Sequence, residues 1–185
     1  MTITVLEGID YSGKSTIARI LVPKYDLAHI SIALSKEEKG RINGLSLEER
    51  FREYLALNRR LYADAQGKQR PVLLERFWPG TISAHNVFMG KRLEEEVDVY
   101  KEISSMRPDH ILLVTVSEEA IKRRMKARPP QHKYESDVAT LVTMQEELKR
   151  VVDLTHKRMD VPYTIIDNST DHFADLESSL NAVKI

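Results

Sequence analysis

The stretch Glu7–Thr16, EGIDYSGKST, follows directly on the apolar run Ile3–Leu6, ITVL. That run reads as a short strand ending at Gly8, and from Lys14 apolar residues recur at helical spacing through Ile17, Ala18 and Leu21 until Pro23. Between the two, Gly8 to Ser15 satisfy the pattern G-x-x-x-x-G-K-[ST] in the strand-to-helix context it requires. Glycines let the backbone curl so that its N–H groups, with the helix N-terminus behind them, point at a polyanion. Gly8, Ser12, Gly13, Lys14, Ser15 and Thr16 are therefore the candidate triphosphate cradle. Lys14 would bridge the β- and γ-phosphates and Ser15 would ligate magnesium.

Outward from this loop the chain alternates strand and helix. His29–Leu34 is a weak second strand, and the polar, glycine-containing Ser35–Gly44 reads as loop. Ser46 with Glu49 forms a capping box, behind which Phe51, Tyr54, Leu55, Leu61, Tyr62 and Ala65 keep helical spacing up to Gly67. Val72–Phe77 is a nearly continuous apolar strand of the kind buried on both faces in a parallel sheet. A charge-rich helix over roughly Lys91–Met106 leads to a further buried strand, His110–Val116. Ser117 caps a helix to about Ala127, where Arg-Pro-Pro stops it. A long helix from about Asp137 to Arg158, the strand Tyr163–Asp167 and an amphipathic helix through Phe173, Leu176, Leu180 and Val183 complete the chain. This order predicts one α/β domain over residues 1–185, three-layer α/β/α, around a mainly parallel five-stranded sheet.

Composition narrows the function. Lysine plus arginine and aspartate plus glutamate both number 28 in 185 residues, so no net field points to nucleic acid. The absence of cysteine excludes disulfides, thiolate metal sites and a cysteine nucleophile. The six histidines show no metal-ligand spacing. No stretch resembles a signal peptide or approaches the ~20 apolar residues of a membrane span, so a soluble cytoplasmic protein is expected. The N-K-x-D base-reading motif of switch GTPases is missing.

Taken with three further segments, the loop resembles that of the thymidylate kinase group of nucleoside monophosphate kinases, E-G-x-D-x-x-G-K-[ST]-T. Glu7, Gly8, Asp10, Gly13, Lys14, Ser15 and Thr16 match it. The resemblance implies ATP and Mg²⁺ as ligands, a nucleoside monophosphate as acceptor, and contact of Asp10 with the acceptor sugar. Leu55–Tyr62, LALNRRLY, is similar to the family's helix segment and places Arg59 at the acceptor phosphate. In Val72–Trp78, VLLERFW, Glu75 stands for the acid that holds magnesium through water and Arg76 reaches the acceptor phosphate. The carboxyl end of a buried parallel strand borders the ligand crevice, which agrees with both assignments. Arg124 and Arg128 match the R-x-x-x-R at the entrance to a small lid, here about 124–137, with Glu135 as its acidic end. At i and i+4 they lie on one helix face and would clamp the transferred group when the lid closes. The implied catalytic set is Lys14, Arg76, Arg124 and Arg128.

Departures from the family cluster on base recognition. The R-E-P-G-G segment is absent, and the stacking phenylalanine is replaced by Leu55 with Tyr54 beside it, so Tyr54 is the candidate stacker. His85 and Asn86 match the base-contacting stretch only with a one-residue slip, and Tyr11 is bulky where small residues are usual. Tyr11 covers the acceptor sugar or simply packs. The chemistry expected is thus ATP-dependent phosphorylation of a pyrimidine deoxynucleotide, dTMP or an analogue. Two alternatives stay open. One is a deoxynucleoside kinase with Glu75-Arg76 in the E-R-S role, which needs a carboxylate base near the second strand, where Glu37 and Glu38 are the acids available. The other is a nucleotide-binding regulatory module without transfer. The resemblance also implies a homodimer.

Overall fold

The computed structural model describes residues 2–130 and 133–170. Five strands, β1 (Ile3–Glu7), β2 (Ala28–Ser31), β3 (Val72–Glu75), β4 (His110–Thr115) and β5 (Tyr163–Asp167), form one sheet in the order β2-β3-β1-β4-β5, every pairing parallel. Position in the sheet explains the residue pattern of each strand. The central β1 and β3 are buried at every residue, whereas the edge strand β2 alternates buried and exposed. The second strand is shorter than the sequence suggests. β2 pairs only with β3, from Ala28 opposite Val72 to Ser31 opposite Glu75, and β3 ends there. The chain beyond Ser31 has no ladder to join.

Helices cover both faces. α1 (Lys14–Lys24) packs Ile17, Ala18 and Leu21 against Leu6, Leu73, Leu112, Val114 and Ile166. The opposite face, carrying Ile3, Val5, Val72, Leu74, Ile111 and Leu113, meets Phe77 and, from helices on that side, Phe51, Leu55, Trp78, Leu148, Val151 and Val152. Pro23 sits inside the last turn of α1 instead of ending it. A proline there removes one helical hydrogen bond where the ladder is about to stop, which costs far less than the ~3 kcal/mol of a helix interior.

Two helices were not expected. Ser35–Gly44 contains α2 (Lys36–Asn43), started by a capping box in which Ser35 Oγ accepts from Glu38 N at 3.1 Å and Glu38 Oε2 from Ser35 N at 2.8 Å. The box outweighs the polar composition and Gly40, which had read as loop. The second is α4 (Trp78–Met89), running from Pro79 in its first turn to Gly90 with φ 62° at its end. Pro-Gly looks like a turn in sequence, but a proline in the first helical turn gives up only an N–H that has no helical partner.

The remaining elements follow expectation in type. α3 (Leu47–Gln66) begins at the Ser46–Glu49 box. α5 (Val97–Ser104) is shorter than expected, because residues 93–95 form a 3₁₀ turn held by Asn86 Oδ1 on Leu93 N at 2.9 Å. α6 (Glu118–Ala127) and α7 (Val138–Met159) flank a 3₁₀ turn, Lys133–Ser136, in the segment expected as a lid. The amphipathic helix expected through Phe173 and Val183 lies outside the described residues. Among those described, no helix is long and apolar enough to cross a membrane.

Candidate active site

The carboxyl ends of β1, β3 and β5 open on two cavities. The first, about 560 Å³, is bordered by Gly13, Lys14, Ser15 and Thr16 of the loop and by Arg19, Arg76, Arg124, Arg128, Asn168 and Thr170. The second, about 800 Å³, is bordered by Glu7, Gly8, Arg50, Tyr54, Thr81, His85, Phe88, Tyr134 and Met144, among others. Ile9, Asp10 and Arg76 border both. The cavities therefore meet across one acid–base pair.

The loop is built for close approach. Gly13 adopts φ 88°, and a Cβ there would stand 2.3 Å from Asn168 Nδ2, which itself donates to Ser12 O at 2.7 Å. Only glycine fits. Arg124 donates to Tyr11 O at 2.9 Å and to Asn168 O at 2.7 Å, so it ties the loop to the chain after β5 while bordering the first cavity. Lys14 is buried and donates to Ile9 O at 2.6 Å. Burial and the Arg76 charge push its ammonium well below the ordinary lysine range. An incoming polyanion would favour the charged form and draw the side chain from the carbonyl.

Ser15 Oγ donates to Glu75 Oε1 at 2.6 Å, and His29 Nε2 lies 3.1 Å from Glu75 Oε2. The expected magnesium residues are thus in contact. A hydroxyl and a carboxylate are the hard oxygen donors that Mg²⁺ accepts together with phosphate oxygens and water. Among the described residues no group of three His, Cys, Asp or Glu is placed to hold a metal ion.

Arg76 stands at φ 70° just past β3 and bonds Asp10 Oδ1 at 2.6 Å, while Tyr134 Oη donates to Asp10 Oδ2 at 3.1 Å. Burial raises the Asp10 pKa, but the charges of Arg76 and Lys14 and the two hydrogen bonds outweigh it and hold the carboxyl down at about 2. Tyr11, also at positive φ, donates to Glu135 Oε2 at 3.3 Å and lies under the Arg128 guanidinium, 4.6 Å from the ring centre. The loop and the segment expected as a lid thus exchange two tyrosine–carboxylate bonds, Tyr11 to Glu135 and Tyr134 to Asp10. Tyr11 packs against Arg128, an arrangement the sequence left open.

Other expected residues are placed differently. α6 ends at Ala127, so Arg128 follows in extended conformation and does not share a helix face with Arg124, although both border the first cavity. Arg59 lies on the exposed side of α3, paired with Glu102, and borders neither cavity. Ser12 is buried beneath the loop and Gly8 borders the second cavity, not the first. Tyr54 does border the second cavity, with His85 beside it at 6.0 Å between ring centres. Asn86 turns away to Glu94 and Glu147. Trp78, which in sequence suits a pocket wall and a core anchor equally, is a core anchor whose Nε1 donates to Met106 O at 3.0 Å. Glu37 and Glu38 are exposed on α2 and border neither cavity.

The residues missed are Arg19, Asn168 and Arg50. Arg19 Nε donates to Ser15 O at 3.2 Å, one helical turn beyond the loop. Arg50 precedes Tyr54 by one turn of α3, the i, i+4 spacing that puts both on one face. His85 offers a further polar group: its Nδ1 is 2.8 Å from Thr81 O, and burial keeps the ring below the usual histidine range. A ring nitrogen so close to a carbonyl must carry the proton, which leaves Nε2 as an acceptor.

No protein-family model matches the chain. Over 145 residues, 69% of its length, the chain is 30% identical to a thymidylate kinase of Xanthomonas euvesicatoria pv. vesicatoria (strain 85-10), and it spans 62% of that relative. Among solved structures, deoxyadenosine kinase from M. mycoides with bound dATP superposes with a TM-score of 0.74 at 14% identity, covering 97% of this chain and 98% of that one. The M. mycoides enzyme with products dCMP and a flexible dCDP gives 0.73 at 15% identity, over 98% and 100%. Thymidylate kinase from Candida albicans gives 0.67 at 20% identity, over 97% and 88%. The chain therefore has the three-layer fold of the P-loop nucleotide kinases and is similar in sequence to a thymidylate kinase.

Proposed function

We propose that the chain transfers the γ-phosphoryl group of ATP to the monophosphate of a pyrimidine deoxynucleoside. The observation that carries this reading is the shared wall: a phosphate-cradling cavity and a second, more apolar-lined cavity meet at Asp10 and Arg76. Donor phosphates in the first would face an acceptor in the second across the Arg76 guanidinium. The sequence likeness to a thymidylate kinase supports the acceptor class.

In the transfer an oxygen of the acceptor phosphate bonds to the γ-phosphorus as the bond to the β–γ bridging oxygen breaks and ADP leaves. The acceptor phosphate is already anionic at neutral pH, so no side chain has to take a proton. The protein supplies position and charge instead. Lys14, the loop N–H groups and Arg124 hold the donor, Arg76 spans the two phosphates, and Arg128 closes from the lid segment. Ser15 and Glu75 would hold Mg²⁺, which when bound neutralises charge on the phosphate oxygens. Tyr54, Arg50 and His85 would surround the base, with Asp10 and Tyr134 at the sugar. A homodimer is part of this reading, to be measured by light scattering.

A second reading rests on Glu7 and Asp10, two carboxylates bordering the acceptor cavity. A nucleoside kinase needs such a group to take the proton of a hydroxyl. Coupled ADP release with MgATP over matched panels of deoxynucleosides and their monophosphates separates the two. Turnover with a pyrimidine deoxynucleotide supports the first, turnover with nucleosides alone the second, and ADP release with neither refutes both.

A further inference from the structure

Glu7 is buried at the end of β1 and has no part in the transfer just described. Its Oε1 accepts from Phe77 N at 2.7 Å and from Gly80 N at 3.1 Å, the backbone that follows Arg76 and opens α4. On the other side of the turn, Arg76 N donates to Leu6 O at 3.1 Å. Arg76 is therefore gripped from both sides by consecutive residues of β1. Between these grips its backbone holds φ 70°, a region that costs a side-chain-bearing residue free energy and persists only where the surroundings impose it. Gly80 belongs to the same device. A Cβ there would stand 2.6 Å from Glu7 Oε2, so a side chain at this position would push the carboxylate off the backbone it holds. Burial raises the Glu7 pKa despite the two N–H donors, so the carboxylate is kept at an electrostatic cost that an apolar residue would avoid.

Resting on the transfer reading above, we infer that Glu7 is the positioning residue for Arg76: it fixes the left-handed turn that swings the guanidinium onto Asp10, into the wall between the cavities. It borders the second cavity, but with both its N–H partners in the backbone around Arg76 it has no reacting atom to serve in this transfer and acts through Arg76. A carboxylate kept here for stability only would show its effect in unfolding; one kept for Arg76 shows it in turnover and in phosphate affinity, and only while Arg76 is present.

The test uses the full chain, with kcat from ADP release and, independently of turnover, the calorimetric Kd for dTMP. Glu7→Ala should lower kcat about 30-fold or more and weaken dTMP binding, while the KM for ATP moves less than about 3-fold. Glu7→Gln keeps an oxygen for both N–H donors and should stay within about 3-fold of wild type. Gly80→Ala, which crowds an intact Glu7, should reproduce the Glu7→Ala loss even if that variant folds poorly. In an Arg76→Ala background, Glu7→Ala should cost less than about 2-fold more. Full kcat in Glu7→Ala, equal losses in Gln and Ala variants, or additive losses with Arg76→Ala would overturn the assignment. A wild type that binds dTMP but releases no ADP would fail the transfer reading alone, and the Kd series would still decide the role of Glu7.

Discussion

The two cavities, read above as donor and acceptor sites, are made in different ways. Four of the donor cavity's polar walls come from one unbroken run, Gly13–Thr16, and much of its chemistry is backbone N–H groups at the start of α1. The acceptor cavity takes Glu7 from β1, Arg50 and Tyr54 from α3, Thr81 and His85 from α4, Tyr134 from the lid segment and Met144 from α7. A phosphate cradle needs a backbone shape, which a short motif can specify alone. A pocket for a base needs side chains carried together by the packing of several helices, which no short motif can specify. Substitutions in the two cavities should accordingly differ in what they change.

The largest effect is expected on the donor side. Lys14→Ala should lower kcat by about 10³-fold or more with little change in melting temperature, since on the proposed reading the lysine meets charge that develops in transfer. Loss of a few-fold only would remove Lys14 from the chemistry. On the acceptor side the effect should be smaller and should fall on affinity. Tyr54→Ala is expected to raise the acceptor KM about 10-fold and leave the KM for ATP within about 2-fold, the pattern of lost binding that is equal in ground and transition states. Arg59→Ala, on the exposed pair with Glu102, should stay within about 2-fold in every constant. A large acceptor effect at Arg59 would mean that the acceptor lies elsewhere.

The junction between the cavities predicts a pH dependence. The Asp10 carboxyl is depressed to about 2, below its ordinary value of 3.8. A depressed acid stabilises the fold above its unfolded pKa and loses that contribution as pH falls through its folded one. Wild type should therefore lose about 2 kcal/mol between pH 4 and pH 2 that Asp10→Asn does not lose. Urea unfolding of the two proteins over that interval measures the difference.

The same contrast governs what could be read from the residues alone. β1, the loop and α1 were legible because a buried strand, a glycine loop and a helical period adjoin in the chain. Central strands β3 and β4 were legible because burial on both faces leaves continuous apolar runs. α2 and α4 were not, since a capping box inside a polar stretch and a Pro-Gly start both resemble loop chemistry. Arg59 was singled out by a matching segment, yet one residue turns a helix by about 100°. Asn58 is buried, and its neighbour Arg59 looks outward. The i, i+4 relation between Arg50 and Tyr54 was present in the sequence but carried no weight until α4 stood opposite. Asn168 could not have been foreseen, because its role depends on β5 ending beside the loop.

The central claim is that the two cavities are halves of one transfer site joined at Asp10 and Arg76. Calorimetric titration with adenosine and thymidine joined through five phosphates tests it most directly. The ligand should bind at one per chain and about 100-fold or more tighter than ATP or dTMP alone, because the second contact becomes intramolecular. Affinity no better than that of ATP would show that the cavities are not bridged, and would contradict the account.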